Sequence, residues 1–370
     1  MVSNSSGALP RIPGLAPALG VLGALVAGFL VLAAGLLAAG YDVGLALAAL
    51  WRGAFGSWDA LLSATLVRAV PLIVLGTGIA IAFRAGALNI GGEGQFYAGA
   101  IAATWVGLQV TQWPAVAAVP AVWVAAALGG VAWIAIPVLL RVRFGVLEVI
   151  STLLLNFIAE AMVSFAVTGP LQEARRVYPQ SDPIGEAARL PLVPGSRLHL
   201  GLLLALLLAV AAWFLFTKTV WGFRLKAVGE APLAAAISGR IPTKRVLGFA
   251  LLWSGGFAGL AGGVELSGVT YSLYQNLSPG YGYTAIAVAL LARLHPLGVV
   301  LTGILFGALE AGAQGMQREA GVPAVAVAVA EAVIILAVLL AEVRSRQSGE
   351  LAEAAPRARR FFPGWGSRRP

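Results

Sequence analysis

Long apolar runs, separated by short polar stretches, fill most of the chain. They predict membrane-spanning helices at about 17–40, 61–82, 86–108, 115–139, 146–169, 198–216, 246–270, 281–293, 297–315 and 322–343. Most are near the roughly 20 residues a helix needs to cross the hydrocarbon core. Two stretches break the pattern. Residues 83–96 (FRAGALNIGGEGQF) hold four glycines and the polar trio Asn89, Glu93 and Gln95 where a span ought to continue. Residues 276–283 (NLSPGYGY) interrupt the other half of the chain. Glycine weakens a helix, and unpaired polar groups at membrane depth cost several kcal/mol as an order of magnitude. Such stretches survive where other protein or a water-filled path covers them, and a Gly/Pro-broken segment in each of two halves points to a transport pathway.

Composition agrees with the pattern. Hydrophobic residues make up 59% of the 370 and charged residues 11%, against roughly 25% charged in a soluble domain. The predicted fold is an all-α polytopic membrane protein of about ten helices. The net charge of +9 does not imply a nucleic-acid partner, because the basic residues lie in loops and the tail. With the N-terminus inside, eighteen Lys/Arg fall on the inner side and six on the outer (Arg52, Arg175, Arg176, Arg189, Arg197, Arg318), with Arg68 inside a span. That asymmetry places both termini in the cytoplasm. The predicted organisation is an N-terminal segment 1–16, a transmembrane domain 17–343 and a basic tail 344–370 that is either disordered or lying on anionic lipid. Within the domain are an inner loop 217–245 and an outer loop 170–197 rich in prolines and charges. The first apolar run is too long for a signal-peptide core, so it reads as an uncleaved span. Spans two to five and seven to ten form two groups, each with one broken segment, which suggests an inverted repeat. There are no cysteines, which excludes disulfides and thiolate metal sites. No metal site is predicted.

The candidate chemistry is sparse. No G-x-x-x-x-G-K-[ST] motif occurs, so the chain cannot cradle ATP phosphates. No catalytic constellation appears either, and the chain does not read as an enzyme or as binding a cofactor. Within spans lie Arg68, Glu160, Glu265, Glu310 and Glu331. Intramembrane carboxylates are functional candidates, and a row of them would fit a proton-coupled secondary transporter. An autonomous channel is a third possibility. On the outer side Tyr271, Tyr274, Gln275, Asn276, Tyr281 and Tyr283 combine aromatic faces with amides, suited to stacking on a nucleobase or to an ordinary aromatic belt. Asn89, Glu93, Gln95 and Asn156 are the inner counterparts, whose first task is to satisfy broken backbone. His199 and His295 read as bystanders. In the inner loop, Pro232 suits a helix start and Gly239 the residue past its end, with LAAAIS between them. From the loop alone this short helix is equally a handle for an ATPase or an amphipathic helix on lipid.

The same loop, with Gly222, Ala227, Gly229, Glu230, Pro232, Ala235, Ala236 and Gly239, resembles the coupling loop of ABC-importer permeases of the branched-chain amino acid, ribose and nucleoside superfamily. FRAGALNIGGEGQF, EVISTLLLNFIA (148–159), SGGFAGLAGG (254–263) and GYGYTAIAVALLA (280–292) are similar to that family's segments in the same order. Ala231 departs from a frequent Asn. The resemblance covers about 61–340 and is closest to permeases for nucleosides or simple sugars that work with a basic membrane lipoprotein-type binding protein. It implies a permease subunit in the cell membrane, with ATP hydrolysed by a cytoplasmic ABC ATPase that grips the loop. It also implies a second related permease, an extracytoplasmic substrate-binding lipoprotein, and a path near Asn89, Glu93, Gln95, Asn156, Asn276, Tyr281 and Tyr283.

Overall fold

A computed structural model describes residues 15–337, except 324, 330, 334 and 335. The segment expected before Leu15 and the basic tail 344–370 lie outside the described residues, as does the end of the last predicted span. Among the described residues every regular element is helical, and the described chain falls into two compact units. One contains α1 (Leu15–Ala38) and the helical residues between 325 and 337. The other runs from Gly44 to Ala324 and carries the sites described below.

The second unit contains α2 (Val43–Phe55), α3 (Leu66–Arg84), α4 (Gly92–Gly107), α5 (Ala115–Phe144), α6 (Glu148–Thr168) and α7 (Gly201–Lys218). These are followed by α8 (Val220–Glu230), α9 (Pro232–Ile237), α10 (Thr243–Glu265), α11 (Tyr281–Leu291) and α12 (Pro296–Ala320). A π-helical turn leads into α3 at Ala60–Thr65, and another extends α10 at Leu266–Thr270. Among the described residues, six helices are long and apolar enough to cross a membrane: Ala60–Arg84, α5, α6, α7, Thr243–Thr270 and α12.

Three expectations change. The predicted span 86–108 begins as a helix only at Gly92, because 85–91 is non-helical. The predicted span 281–293 is an eleven-residue helix, about 17 Å long at 1.5 Å per residue and too short to cross alone. The sequence also leaves 41–60 as a connection, whereas the structure forms α2 there. Small residues explain the last difference. Ala46, Ala49 and Ala54 are buried, and the Gly53 Cα lies where a Cβ would meet Ala311 O at 2.9 Å. The helix is held by its packing on α12, which a hydropathy window does not register.

The interior is the group α3, α4, α5 and α10, with α11 and α12 against α3. Nearly all of α3 is buried, including Pro71. The other three helices touch through glycine. A Cβ on Gly99 would lie 2.2 Å from Gly259 O, and one on Gly130 would lie 2.1 Å from Gly255 O. Without a hydrophobic drive between helices in lipid, such backbone proximity is what holds them together. By contrast, α6 and α7 turn large apolar side chains outward, among them Leu154, Phe165, Leu207 and Phe214.

Contacts between elements also sort the loops by side. Arg52 pairs with Glu319 at 2.6 Å, and the Arg197 N–H donates to Ser63 Oγ at 3.0 Å. At the opposite ends of the helices Arg141 pairs with Glu148, and Gly229 packs on Arg84. Each contact joins loops that the charge count puts on one face.

Candidate functional site

The two broken stretches meet. The Glu93 carboxylate, in the first turn of α4, accepts from Gly282 N–H in the first turn of α11 at 2.7 Å. Ser278 Oγ accepts from Gly280 N–H (3.1 Å) and Tyr281 N–H (2.9 Å). Between them these oxygens answer donors that the start of any helix leaves without an intrahelical partner. Glycine is required at the contact itself, since a Cβ on Gly282 would lie 2.1 Å from Glu93 N. Gly280, at φ +101°, starts the helix in a conformation open mainly to glycine. The Phe96 and Tyr281 rings pack alongside at 6.0 Å.

The other end of the break is tied just as closely. Asn89 and Gln95 exchange amide hydrogen bonds at 2.8 and 2.9 Å, and the Asn89 amide also donates to Ser254 Oγ at 2.9 Å. Asn89 Oδ1 accepts from Gly91 N–H. From α6, Asn156 Oδ1 accepts from Gly94 N–H at 2.9 Å, while its amide donates to Ile90 O at 3.0 Å and Tyr283 Oη at 3.2 Å. Glu148, not singled out in the sequence, accepts from Leu88 N–H at 3.2 Å and pairs with Arg141. Its place in EVISTLLLNFIA was visible, but its partner sixty residues away was not.

The candidate path residues therefore divide in two. Asn89, Glu93, Gln95 and Asn156 are buried and occupied with backbone or with one another, and Tyr281 is buried with its ring against Phe96. Asn276 and Tyr283 are exposed, as are Tyr274 and Gln275. Tyr271 is taken up by Arg189, whose guanidinium lies 5.0 Å over its ring. The outer loop folds onto this region: Ser181 N–H donates to Leu273 O, and Ile184 N–H to Tyr271 O, both at 2.8 Å. Glu173 braces the same loop, accepting from Val177 and Tyr178 N–H and from the Gln180 amide. Those donors, Gln180 foremost, hold its carboxyl below the usual range. The intramembrane carboxylates sit on separate helical segments: Glu160 exposed on α6, Glu265 buried on α10, Glu310 on α12, and Glu331 in the other unit.

The inner loop forms two helices. Thr219 caps α8 by accepting from Gly222 N–H, and Gly222 fits a corner where a Cβ would strike Leu215 O at 2.3 Å. Gly229 lies against α3, where a Cβ would be 2.2 Å from Arg84 O. Ala227 is half-buried. Glu230 is exposed, with Lys226 at 3.9 Å. Pro232 opens α9, Ala235 faces inward, Ala236 is exposed, and Gly239 follows at φ +65°. The sequence reading missed Leu233 and Ile237, which are 78% and 83% exposed. Their i, i+4 spacing after Pro232 puts two large apolar side chains on one face of a projecting helix, a signal that was present in the sequence.

The model of the branched-chain amino acid transport system permease component matches residues 61–339. The chain belongs to this permease family. It is 38% identical to a guanosine ABC transporter permease protein of Bacillus subtilis, over 87% of this chain and 92% of that one. A glucose ABC transporter permease protein of Haloferax volcanii is 39% identical over 76% of both chains. A nucleoside ABC transporter permease protein of Lactococcus lactis is 34% identical over 84% of this chain and 88% of its own. No solved structure matches the chain. The permease is thus the membrane-spanning subunit of an ABC transporter, and its two meeting half-helices and projecting α9 are parts of that machine.

Proposed function

We propose that this permease imports a nucleoside or a simple sugar, driven by ATP that a cytoplasmic ABC ATPase hydrolyses. The observation that carries the coupling half of the reading is α9. Leu233 and Ile237 project from a helix whose neighbour α8 rests on the end of α3. Apolar side chains so exposed at a helix tip call for a partner surface. In this reading the ATPase grips 217–245, with Glu230 and Ala236 at the rim of the contact. Gly222, Ala227, Gly229, Pro232, Ala235 and Gly239 shape it.

The rest of the assembly follows. The chain crosses the cell membrane about ten times with both termini in the cytoplasm, as the excess of inner Lys/Arg supports, and its halves are related as an inverted repeat. Residues 1–16 and 344–370 are the cytoplasmic ends of the domain 17–343. A second related permease completes the path, and an extracytoplasmic binding lipoprotein docks on the 170–197 loop. Asn276 and Tyr283 face the solute. Asn89, Glu93, Gln95, Asn156 and Tyr281 hold the broken helices behind them.

The test is reconstitution of permease, ATPase, second permease and lipoprotein in proteoliposomes. Guanosine or glucose uptake should require the lipoprotein outside and ATP enclosed within the vesicles, and Leu233→Asp with Ile237→Asp should release the ATPase without lowering the melting temperature. Uptake that continues without ATP and collapses with an uncoupler would instead establish a proton-coupled carrier.

A further inference from the structure

A recess of about 330 Å³ opens beside the outer half of α6, lined by Tyr97, Phe157, Glu160, Ser164, Gln275 and Asn276. Its size is at the small end of the roughly 300–1,000 Å³ of small-molecule pockets. Glu160 lies eight residues before the end of α6, about 12 Å inside it at 1.5 Å per residue, and is exposed. A carboxylate is strongly disfavoured against lipid at that depth, so such residues face water or protein. The Phe157 ring, one helical turn below, is 60% exposed. Above, the Gln275 amide donates to Ser164 Oγ at 2.7 Å and fastens the loop to the helix, while Asn276 follows in the left-handed region at φ 59°. Thus a flat apolar face, two amides and one acceptor carboxylate border the same small space.

We infer that this recess is a contact station for solute on the translocation path, and that it takes nucleosides in preference to hexoses or nucleotides. The inference rests on the importer reading above and selects within it. Phe157 supplies a face on which a base stacks. The Gln275 and Asn276 amides match the donor and acceptor edge of a base. Glu160 accepts from the ribose hydroxyls, and its negative charge repels a phosphate. A hexose offers Phe157 only the C–H face of a puckered ring, a poorer stacking surface than a planar base.

The absence of cysteine makes a direct test available. Single-cysteine variants Glu160→Cys and Ser164→Cys, with Leu154→Cys and Phe165→Cys as apolar exposed controls on α6, are placed in the complete importer in proteoliposomes. They are treated with a charged, membrane-impermeant thiosulfonate. The two recess cysteines should react at least about tenfold faster than the controls. Guanosine should slow that reaction several-fold, and glucose or guanosine monophosphate should leave it unchanged. In parallel, Phe157→Leu should lower guanosine uptake at least fivefold more than glucose uptake. Recess cysteines that react no faster than the controls overturn the station. Equal protection by guanosine and glucose, or protection by glucose alone, overturns the nucleoside preference. ATP-dependent uptake by the cysteine-free protein is measured in the same vesicles, so a failure of the importer reading shows there and leaves the labelling result to stand separately.

Discussion

Asn156→Ala probes the joint between the two broken stretches most directly. Asn156 is 3% exposed and makes three hydrogen bonds: from Gly94 N–H, to Ile90 O and to Tyr283 Oη. Gly94 N–H belongs to the first turn of α4, where no intrahelical acceptor exists. The space around it is tight, since a Cβ on Gly94 would meet Trp133 Nε1 and Leu155 O at 3.0 Å. Truncation leaves one donor and one acceptor orphaned in the interior, at roughly 1–3 kcal/mol each. Tyr283 is 42% exposed, so its hydroxyl rehydrates at little cost. The expected loss is about 2–6 kcal/mol, with the lower end applying if one water enters the gap left by the amide.

The assay is thermal melting of the detergent-solubilised protein followed by size-exclusion chromatography, with hydrogen exchange on peptides covering 86–98. Asn156→Ala should melt several degrees lower, and the amides of that segment should exchange faster. Tyr283→Phe, which removes only the exposed end of the network, should cost less than about 1 kcal/mol. Should Asn156→Ala melt with the wild type and protect 86–98 as well, the network would carry no stability and the account of the joint would be wrong.

Two other outcomes follow from the same geometry. Gly282→Ala should prevent accumulation of folded protein, because its Cβ would lie 2.1 Å from Glu93 N, whereas Gly248→Ala meets Val138 at an ordinary 3.7 Å and should express normally; membrane-fraction yield distinguishes them. The Glu173 carboxyl, depressed by Gln180 and two backbone N–H groups, stabilises the outer loop above the ordinary glutamate range near pH 4.3. That support is lost as pH falls through the lower folded value. Limited proteolysis within 174–180 should accelerate in acid for the wild type, and for Glu173→Gln should be already faster at neutral pH.

Apolar run length was enough to locate the long helices, because a span of about 20 residues is a composition signal that survives any packing. The short α2 and α11 were misjudged for the opposite reason. Their lengths are set by contacts with α12 and α4, through Gly53 and Gly282, which lie far apart in sequence. The break at 83–96 was visible as glycines and amides, but its partners were not. Nothing local announces that Glu93 reaches Gly282 or that Asn156 reaches Gly94. In the inner loop, Pro232 and Gly239 marked the ends of α9 correctly, and the i, i+4 spacing of Leu233 and Ile237 was there to be read.

The capping of α11 by Glu93 from the first turn of α4 constrains how such a permease can move. Separating these helices would break the Glu93–Gly282 bond and the Asn156 bridge together and strand helix-start donors in the interior. The pair should therefore travel as one body with α3, α5 and α10, into which they are packed. Under the proposed function, a push from the ATPase on α9 would reach that body through α8, where Gly229 rests on the Arg84 carbonyl at the end of α3, just before the break at 85–91. Gly229→Ala tests this route. Its Cβ, 2.2 Å from Arg84 O, forces α8 off α3 while leaving the Leu233–Ile237 surface intact. The ATPase should still co-purify, and ATP hydrolysis should persist, but uptake in proteoliposomes should fall at least tenfold. Leu233→Asp should instead lose the ATPase itself. If Gly229→Ala transports normally, force does not pass through this contact, and α8 merely positions α9.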